Sequence, residues 1–166
     1  PSSTARMRSL AMAQLFLDLD GVLADFEAGA LALLKMPAKD HQAKHGPGGF
    51  WKRLAAAPDF YGGLPLMPDA TQLFTAVQHL DPIILTGLPI GKWAEPQKRA
   101  WVAHHFPGVQ VITTLARNKS TYCEDGDVLV DDRDTYAEAW AAAGGIFVHH
   151  TSAADSIQAL KRLGLI

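Results

Sequence analysis

The chain has 166 residues, of which 48% are hydrophobic and 19% charged, and its formal net charge is −2. This length allows one domain with a full core and a small insertion, but not two ordinary domains. The charge balance lacks a basic excess, so we expect no binding to a nucleic-acid polymer through its phosphates. No apolar run reaches about 20 residues, which excludes a membrane-spanning helix. The single cysteine, Cys123, favours a reducing, cytoplasmic location.

The first apolar strand of the chain ends in two acids. Residues 1–13 precede it and predict a flexible N-terminal tail, because they are small or polar and lack the apolar run of a signal peptide. Asp18 and Asp20 stand two residues apart, so alternation along the strand puts both on the same side. Gly21 then lets the backbone turn away from them. Such a sequence alone is as typical of a plain turn as of an active site, so the later strand ends decide.

Residues 26–68 predict a small helical cap inserted after the first strand. A helix is predicted from Phe26, because apolar residues recur at helical spacing until Met36-Pro37. The segment is then interrupted by prolines and by Gly46-Pro47-Gly48-Gly49. It also contains four large aromatic side chains, more than linkers usually hold: Phe50, Trp51, Phe60 and Tyr61.

Regular alternation of helices and strands begins at Pro68. The pattern predicts strands over residues 82–86, 109–113, 127–131 and 146–149. Asp134 is predicted to cap one of the intervening helices, and Ser152 with Asp155 to open the last one. Five apolar strands separated by helices predict an α/β fold with a doubly wound, parallel, Rossmann-like sheet. Its core comprises residues 14–25 and 69–166.

Polar residues stand at the ends of three predicted strands and in the loop after a fourth. In an open parallel sheet, ligands bind at the carboxyl ends of the strands. We therefore expect one group of chemically active side chains at that edge of the sheet. Its predicted members are Asp18, Asp20, Thr86, Gly87, Lys119, Asp131 and Asp132.

The acids in this group predict a divalent metal and a phosphate substrate. Several carboxylates would repel a phosphate monoester unless a cation lies between them. Mg²⁺ binds a few carboxylate oxygens together with phosphate and water, so it is the predicted cofactor. The candidate ligands are Asp18, Asp20 through its main-chain carbonyl, and Asp131 or Asp132, a choice that the sequence leaves open.

The same residues can divide the steps of phosphate-ester hydrolysis between them. A carboxylate beside the metal can attack phosphorus, and Asp18 is the candidate for that role. Asp20 can protonate the leaving alkoxide and then take a proton from the attacking water. Lys119, the Thr86 hydroxyl and the Gly87 amide can stabilise the charge on the phosphoryl group.

The segments DLDGVLAD, ILTG and LVDDR, with Lys119 between the last two, resemble the four motifs of the haloacid dehalogenase superfamily of phosphatases. The resemblance extends from Leu15 to His149. It implies a nucleophile at Asp18 and an acid/base at Asp20. It also implies phosphate contacts from Thr86 and Lys119, and a magnesium ligand at Asp131 or Asp132.

Within this superfamily, the sequence is most similar to the 5'(3')-deoxyribonucleotidases. The similarity lies in DGVLADFE, Gly49-Phe50-Trp51, LPLMPDA and Arg117-Asn118-Lys119. It implies a nucleoside monophosphate as the substrate, a base pocket lined by Phe26, Phe50 and Trp51, and an arginine, Arg117, near the phosphate. Stacking of bases on aromatic side chains supports this pocket physically.

Two differences from that family concern the substrate. The cap is shorter between Trp51 and Leu64, and Gly87 stands where the family usually has serine. A phosphatase acting on another small phosphorylated metabolite is therefore the alternative. Phe50 and Trp51 are also consistent with a small core inside the cap.

Two further interpretations come from outside the enzymes. A phospho-receiver domain also uses acids, Mg²⁺, Thr and Lys on a parallel sheet, but its acceptor Asp follows the third strand. Here that strand ends in Thr113-Thr114. A non-catalytic binding protein would not need the complete set of acids and lysine.

The pairs His104-His105 and His149-His150 lack spaced partners for a metal site.

Overall fold

The computed structural model describes residues 13–166, so residues 1–12 of the predicted tail lie outside the described part. Within residues 13–166, five parallel strands form one sheet in the order β3-β2-β1-β4-β5. The strands are Leu15–Leu17 (β1), Ile83–Gly87 (β2), Val111–Thr114 (β3), Val128–Asp131 (β4) and Ile146–His149 (β5). The predicted fold, a parallel five-stranded α/β sheet, is confirmed.

Six α-helices accompany the sheet in the same residues. They are Phe26–Leu34 (α1), Ala38–Ala56 (α2), Ala70–Val77 (α3), Ala94–His105 (α4), Ala137–Ala142 (α5) and Ala153–Arg162 (α6). Short 3₁₀ segments cover Gln78–Leu80 and Ala116–Tyr122. Among residues 13–166, none of these helices combines the length and the hydropathy that crossing a bilayer requires.

The two predicted helix caps have different outcomes. The Ser152 side chain accepts a hydrogen bond from the Asp155 N–H and caps α6, as predicted. Asp134 was predicted to cap α5, and this is wrong. Its main-chain carbonyl accepts from the Ala137 N–H in a turn that precedes the helix, and Tyr136 occupies the N-cap position.

Both faces of the sheet are apolar, which is why the strands lack alternation with polar residues. Leu15 and Leu17 point into a large cluster that also contains Ile84 and Val130. Phe16, between them, points to the opposite face and packs edge-on against Trp140 at a ring-centroid distance of 5.5 Å. Burial on both faces fixes the sheet, and only its carboxyl edge is left for polar side chains.

Residues 26–68 leave the core and return to it at nearly the same point. The Asp25 N–H donates to the Pro65 carbonyl, and the Met67 N–H donates to the Leu23 carbonyl. Inside the segment, α2 is broken at Gly46, which has φ 74° and precedes Pro47. Glycine tolerates that positive φ, and proline cannot continue the preceding hydrogen-bond ladder. The second half of α2 is thereby set at its own angle.

Candidate active site

The acid at the end of β1 is held by the neighbouring strand. The Asp18 N–H donates to the Val130 carbonyl of β4 at 2.9 Å, which continues the β1–β4 pairing beyond the end of β1. Gly21 follows with φ 82°, and a Cβ at this position would overlap the carboxylate of Asp132. Glycine is needed here both for the turn and for the close approach of that acid.

Three carboxylates and one lysine form the centre of the site. Carboxylate oxygens of Asp18, Asp131 and Asp132 all lie within 4.8 Å of one another. The Lys119 Nζ donates to Asp18 Oδ1 at 2.9 Å and to Asp131 Oδ2 at 3.0 Å. The Arg133 N–H donates to the other oxygen of Asp131 at 3.1 Å. The acids offer only oxygen ligands, which are those that Mg²⁺ prefers.

Three carboxylates this close repel one another when all are ionised, and Lys119 is bonded to only two of them. Burial works to raise the pKa of Asp18, but the Lys119 charge and hydrogen bonds from its neighbours bring this pKa below its usual value. Burial, and then the charge of Asp18, raise the pKa of Asp131 to about 6 and that of Asp132 to about 8. A divalent cation would remove this repulsion, so the residues present fit a magnesium site.

Asp20 lies beside this group but has a different partner. Its Oδ2 accepts from the Lys98 Nζ at 2.9 Å, and its Oδ1 is buried without a hydrogen-bond partner among the described residues. Burial raises the pKa of Asp20 against the opposing charge of Lys98. The Asp20 carboxylate is not part of the acidic group. The predicted contribution of Asp20 to the metal site, through a main-chain carbonyl, stays a prediction. A buried carboxyl group with a raised pKa suits a general acid.

The end of β2 presents its backbone, not its hydroxyl, to the cavity. Thr86 is 0% exposed, and its Oγ1 accepts from the Lys98 Nζ at 2.9 Å. Gly87 lines the cavity, and a Cβ added to it would lie 3.0 Å from the Cβ of Ala116. A side chain at position 87 would therefore require Ala116 to shift.

A cavity of about 580 Å³ opens above these groups. Its floor contains the acids and Lys119, and its walls contain Phe26, Trp51, Tyr61 and Tyr136. A second, more apolar cavity of about 650 Å³ adjoins it and shares Trp51 and Tyr136. The volume and the division into a charged floor and aromatic walls are typical of a small-molecule site.

The predicted base-pocket residues do not all reach this cavity. Phe26 and Trp51 line it, as predicted. The prediction that Phe50 contacts the substrate is wrong, because Phe50 is 0% exposed and packs against Phe26 and His41 inside the cap. Arg117 is exposed and lines the adjoining apolar cavity, away from the acids. Arg117 is not among the residues that line the cavity above the acids, and its contact with the phosphate stays a prediction.

Comparisons with known proteins find relatives of this chain among the nucleotidases. No protein-family model matches the chain. It is 30% identical to the mitochondrial 5'(3')-deoxyribonucleotidase of Mus musculus, in an alignment covering 79% of this chain and 68% of the relative. It is 27% identical to the cytosolic type from Homo sapiens, over 74% and 71% of the two chains. The chain belongs to the 5'(3')-deoxyribonucleotidase family.

Solved structures show the same fold at lower identity. A hydrolase from Streptococcus pneumoniae TIGR4 superposes with a TM-score of 0.50 at 15% identity, covering 89% of this chain and 97% of that one. L-2-haloacid dehalogenase from Xanthobacter autotrophicus gives a TM-score of 0.52 at 15% identity, covering 89% and 87%. The predicted haloacid dehalogenase fold is confirmed, and this deoxyribonucleotidase-family protein is a hydrolase of that type.

The sequence did not single out Lys98. This lysine is 1% exposed and contacts both Asp20 and Thr86. A signal existed, because Lys98 falls at helical spacing from the apolar residues Ala94, Trp101 and Val102, on the face of α4 that is buried. Other cavity residues that the sequence did not predict include Tyr61 and Tyr136.

Proposed function

We propose that the protein is a Mg²⁺-dependent phosphomonoesterase that removes phosphate from deoxyribonucleoside monophosphates through an aspartyl phosphate. One observation carries this proposal. Asp18, Asp131 and Asp132 place oxygens within 4.8 Å of one another at the floor of a cavity, with Lys119 bonded to two of them. The aromatic walls of that cavity and the names of the mouse and human relatives support the nucleotide as substrate.

The proposed first step is attack by an oxygen of Asp18 on phosphorus. The bond from phosphorus to the nucleoside oxygen breaks, and the leaving alkoxide takes a proton from Asp20. Lys119 stabilises the negative charge that builds up on the phosphoryl oxygens. Mg²⁺, when held by Asp18, Asp131 and Asp132, supplies further positive charge and lets the three acids stay ionised.

The second step frees the nucleophile. Asp20, now ionised, takes a proton from a water molecule, and the oxygen of that water attacks phosphorus. The bond between phosphorus and Asp18 breaks, inorganic phosphate leaves, and both acids return to their starting state. Asp20 lines the cavity, where its carboxyl group can exchange protons with the leaving group and then with the attacking water.

We further propose that residues 26–68 form the cap that closes over the substrate. The main-chain bonds at both ends of the segment fix its point of attachment to the core. Trp51, which it carries, lines the cavity above the acids. A base lying against Trp51 and Phe26 would be stabilised by stacking, which does not depend on which base it is.

A second candidate substrate class is another small phosphorylated metabolite with a bulky apolar group. The adjoining cavity of about 650 Å³ favours it, because its walls include Leu88, Pro89 and Trp93 and continue directly from the site. The two candidates share the same phosphate chemistry and differ only in the part of the molecule that the walls contact.

A panel of phosphorylated metabolites tests the proposal. The purified protein is incubated with deoxyribonucleotides, ribonucleotides, sugar phosphates and aryl phosphates, with Mg²⁺ or with EDTA, and released phosphate is measured. We expect the highest kcat/KM for deoxyribonucleoside monophosphates, no turnover in EDTA, and recovery when Mg²⁺ is restored. Activity that persists in EDTA would contradict the proposed Mg²⁺ requirement. A higher kcat/KM for another class of phosphate ester would contradict the proposed deoxyribonucleotide substrate.

The cytoplasmic location stays a prediction. One relative is named as mitochondrial and the other as cytosolic, so the comparisons favour neither compartment.

A further inference from the structure

A second buried lysine lies behind the active site and does not reach the acids at its centre. Lys98 is on α4, is 1% exposed, and its Nζ makes three hydrogen bonds. It donates to Asp20 Oδ2 at 2.9 Å, to Thr86 Oγ1 at 2.9 Å and to the Gly87 carbonyl at 2.7 Å. Its charge also lies 4.5 Å from the centre of the Tyr61 ring.

These bonds use the whole donor capacity of the ammonium group. A lysine has three N–H bonds, and within the described residues each has an acceptor. Lys98 therefore has no N–H left for a phosphate. Lys119 lines the cavity, whereas Lys98 does not. Lys98 acts on other residues and does not act on the substrate.

The acceptors come from two different strand ends. Asp20 follows β1, whereas Thr86 and Gly87 end β2, and one ammonium group joins them. The bond to Oδ2 leaves Oδ1 of Asp20 as the oxygen without a partner. The bond to Thr86 Oγ1 fills a lone pair, so the hydroxyl hydrogen points elsewhere. The Lys98 ammonium group thus fixes the orientation of the Asp20 and Thr86 side chains.

Fold stability is a weak explanation for this lysine. Burying a charge costs free energy, and a well-packed apolar side chain in place of an ion pair is often as stable or more so. The buried face of α4 already contains Trp101 and Val102, and the Trp101 indole donates to the Leu64 carbonyl at 2.8 Å. The helix therefore has apolar and polar anchors without Lys98.

We propose that Lys98 is a positioning residue that fixes the carboxyl group of Asp20 and the orientation of the β2 end. The inference rests on the proposed function, since it assigns Asp20 as the acid/base of that reaction. A displacement of about 1 Å in such a group can cost about 100-fold in rate. The effect should fall on kcat, because Lys98 contacts no part of the substrate.

A variant and its matched control test this proposal with Mg²⁺ and a deoxyribonucleoside monophosphate. Lys98→Met keeps the length of the side chain without the charge, and Lys161→Met makes the same change at an exposed position of α6. We expect kcat to fall about 100-fold in Lys98→Met, with KM and the melting temperature close to those of the parent. The control should keep the kcat of the parent. A folded Lys98→Met protein with unchanged kcat overturns the proposal.

A double variant separates positioning from folding. Lys98→Met/Asp20→Asn buries neither charge, so it should fold even if Lys98→Met alone does not. If Lys98 works through Asp20, the double variant has the same kcat as Asp20→Asn within about threefold, because the two residues act as one unit. A further fall of about 100-fold in the double variant overturns the proposal.

A crystal structure of a Lys98→Met protein gives a readout that does not depend on activity. We expect the Asp20 carboxylate to move by about 1 Å or more, or to adopt several rotamers. Positions of Asp20 and Thr86 within about 0.5 Å of those of the parent overturn the positioning role. If the parent hydrolyses no phosphomonoester, the proposed function fails, while this measurement still decides whether Lys98 positions Asp20.

Discussion

The floor and the walls of the cavity are built by different forces. On the floor, charged side chains hold one another by directional bonds, such as those from Lys119 to Asp18 and Asp131. In the walls, aromatic rings contact at varied tilts, for example Phe26 and Trp51 at 6.2 Å and 49°. Directional bonds fix positions closely, whereas ring packing tolerates several arrangements. The floor can therefore specify one reaction while the walls adapt to different substrates.

Removing the nucleophile tests the floor most severely. Asp18→Asn should lower kcat by at least about 1,000-fold, because an amide oxygen cannot form the aspartyl phosphate. The measurement is phosphate release from the best substrate of the panel. Asp134→Asn, the same change at an exposed position near the site, should keep the parent rate. Turnover by Asp18→Asn at the parent rate would move the nucleophile to another residue.

Removing one acid of the group tests the proposed metal site. Asp132→Asn should raise the Mg²⁺ concentration needed for half-maximal activity by about tenfold or more, because one charged oxygen ligand is lost. A titration of activity with Mg²⁺ measures this. Asp134→Asn again serves as the control, and an unchanged Mg²⁺ requirement in Asp132→Asn would assign the metal to the other acids.

Two neighbouring aromatic residues test the walls. Trp51→Ala should raise KM for deoxyribonucleotides about tenfold, because stacking on a base is worth about 1–3 kcal/mol. Its melting temperature should change little, since the ring is half-buried. Phe50→Ala should destabilise the fold by about 3–5 kcal/mol, because Phe50 is fully buried. Equal effects of the two variants on KM would contradict the division between wall and cap core.

A histidine at the same sheet edge gives the smallest expected effect. Burial lowers the pKa of His150 below its ordinary 6.5, against the opposing charge of Asp69, and its Nδ1 lies 2.6 Å from Ser156 Oγ. The unfolded chain therefore binds a proton more readily than the folded protein. The free energy of unfolding should fall as pH falls below 6.5.

Unfolding by denaturant at pH 7.5 and pH 5.5 measures this dependence. His150→Gln should lose less stability than the parent between these values, since it has no imidazole to protonate. Both proteins contain the same acids at the floor, so the difference between them reports His150 alone. An identical pH dependence in both would assign the loss to other groups.

The sequence predicts the floor better than the walls, and the reason lies in how each is encoded. Asp18 follows β1, Asp131 ends β4 and Lys119 lies in the segment after β3, and a parallel sheet brings all carboxyl ends to one edge. Thr86 is the exception, because its hydroxyl is buried against Lys98 and does not face the cavity. Phe50 and Trp51 are adjacent in α2, so their direction depends on the helix phase after the break at Gly46. That phase is set by tertiary packing, and no local pattern reports it. Both residues were predicted to line the pocket, and only Trp51 lines the cavity.

Lys98 escapes prediction for a related reason. Its partner Asp20 is 78 positions away, and a lysine between Gln97 and Arg99 looks like part of a solvated helix face. Only its spacing from Trp101 and Val102 indicates burial. The choice between Asp131 and Asp132 stayed open because the chain turns at this point and brings both carboxylates to the metal group.

Gly21 lies against a residue more than 100 positions away in the chain, which the motif around Gly21 does not reveal. The space that a Cβ would need at this position is already filled by the carboxylate of Asp132. Mutational tolerance at position 21 should therefore depend on which residue stands at position 132, far along the chain. In a library that randomises both, variants that enlarge residue 21 should survive only with a smaller residue 132, at the expense of the metal group.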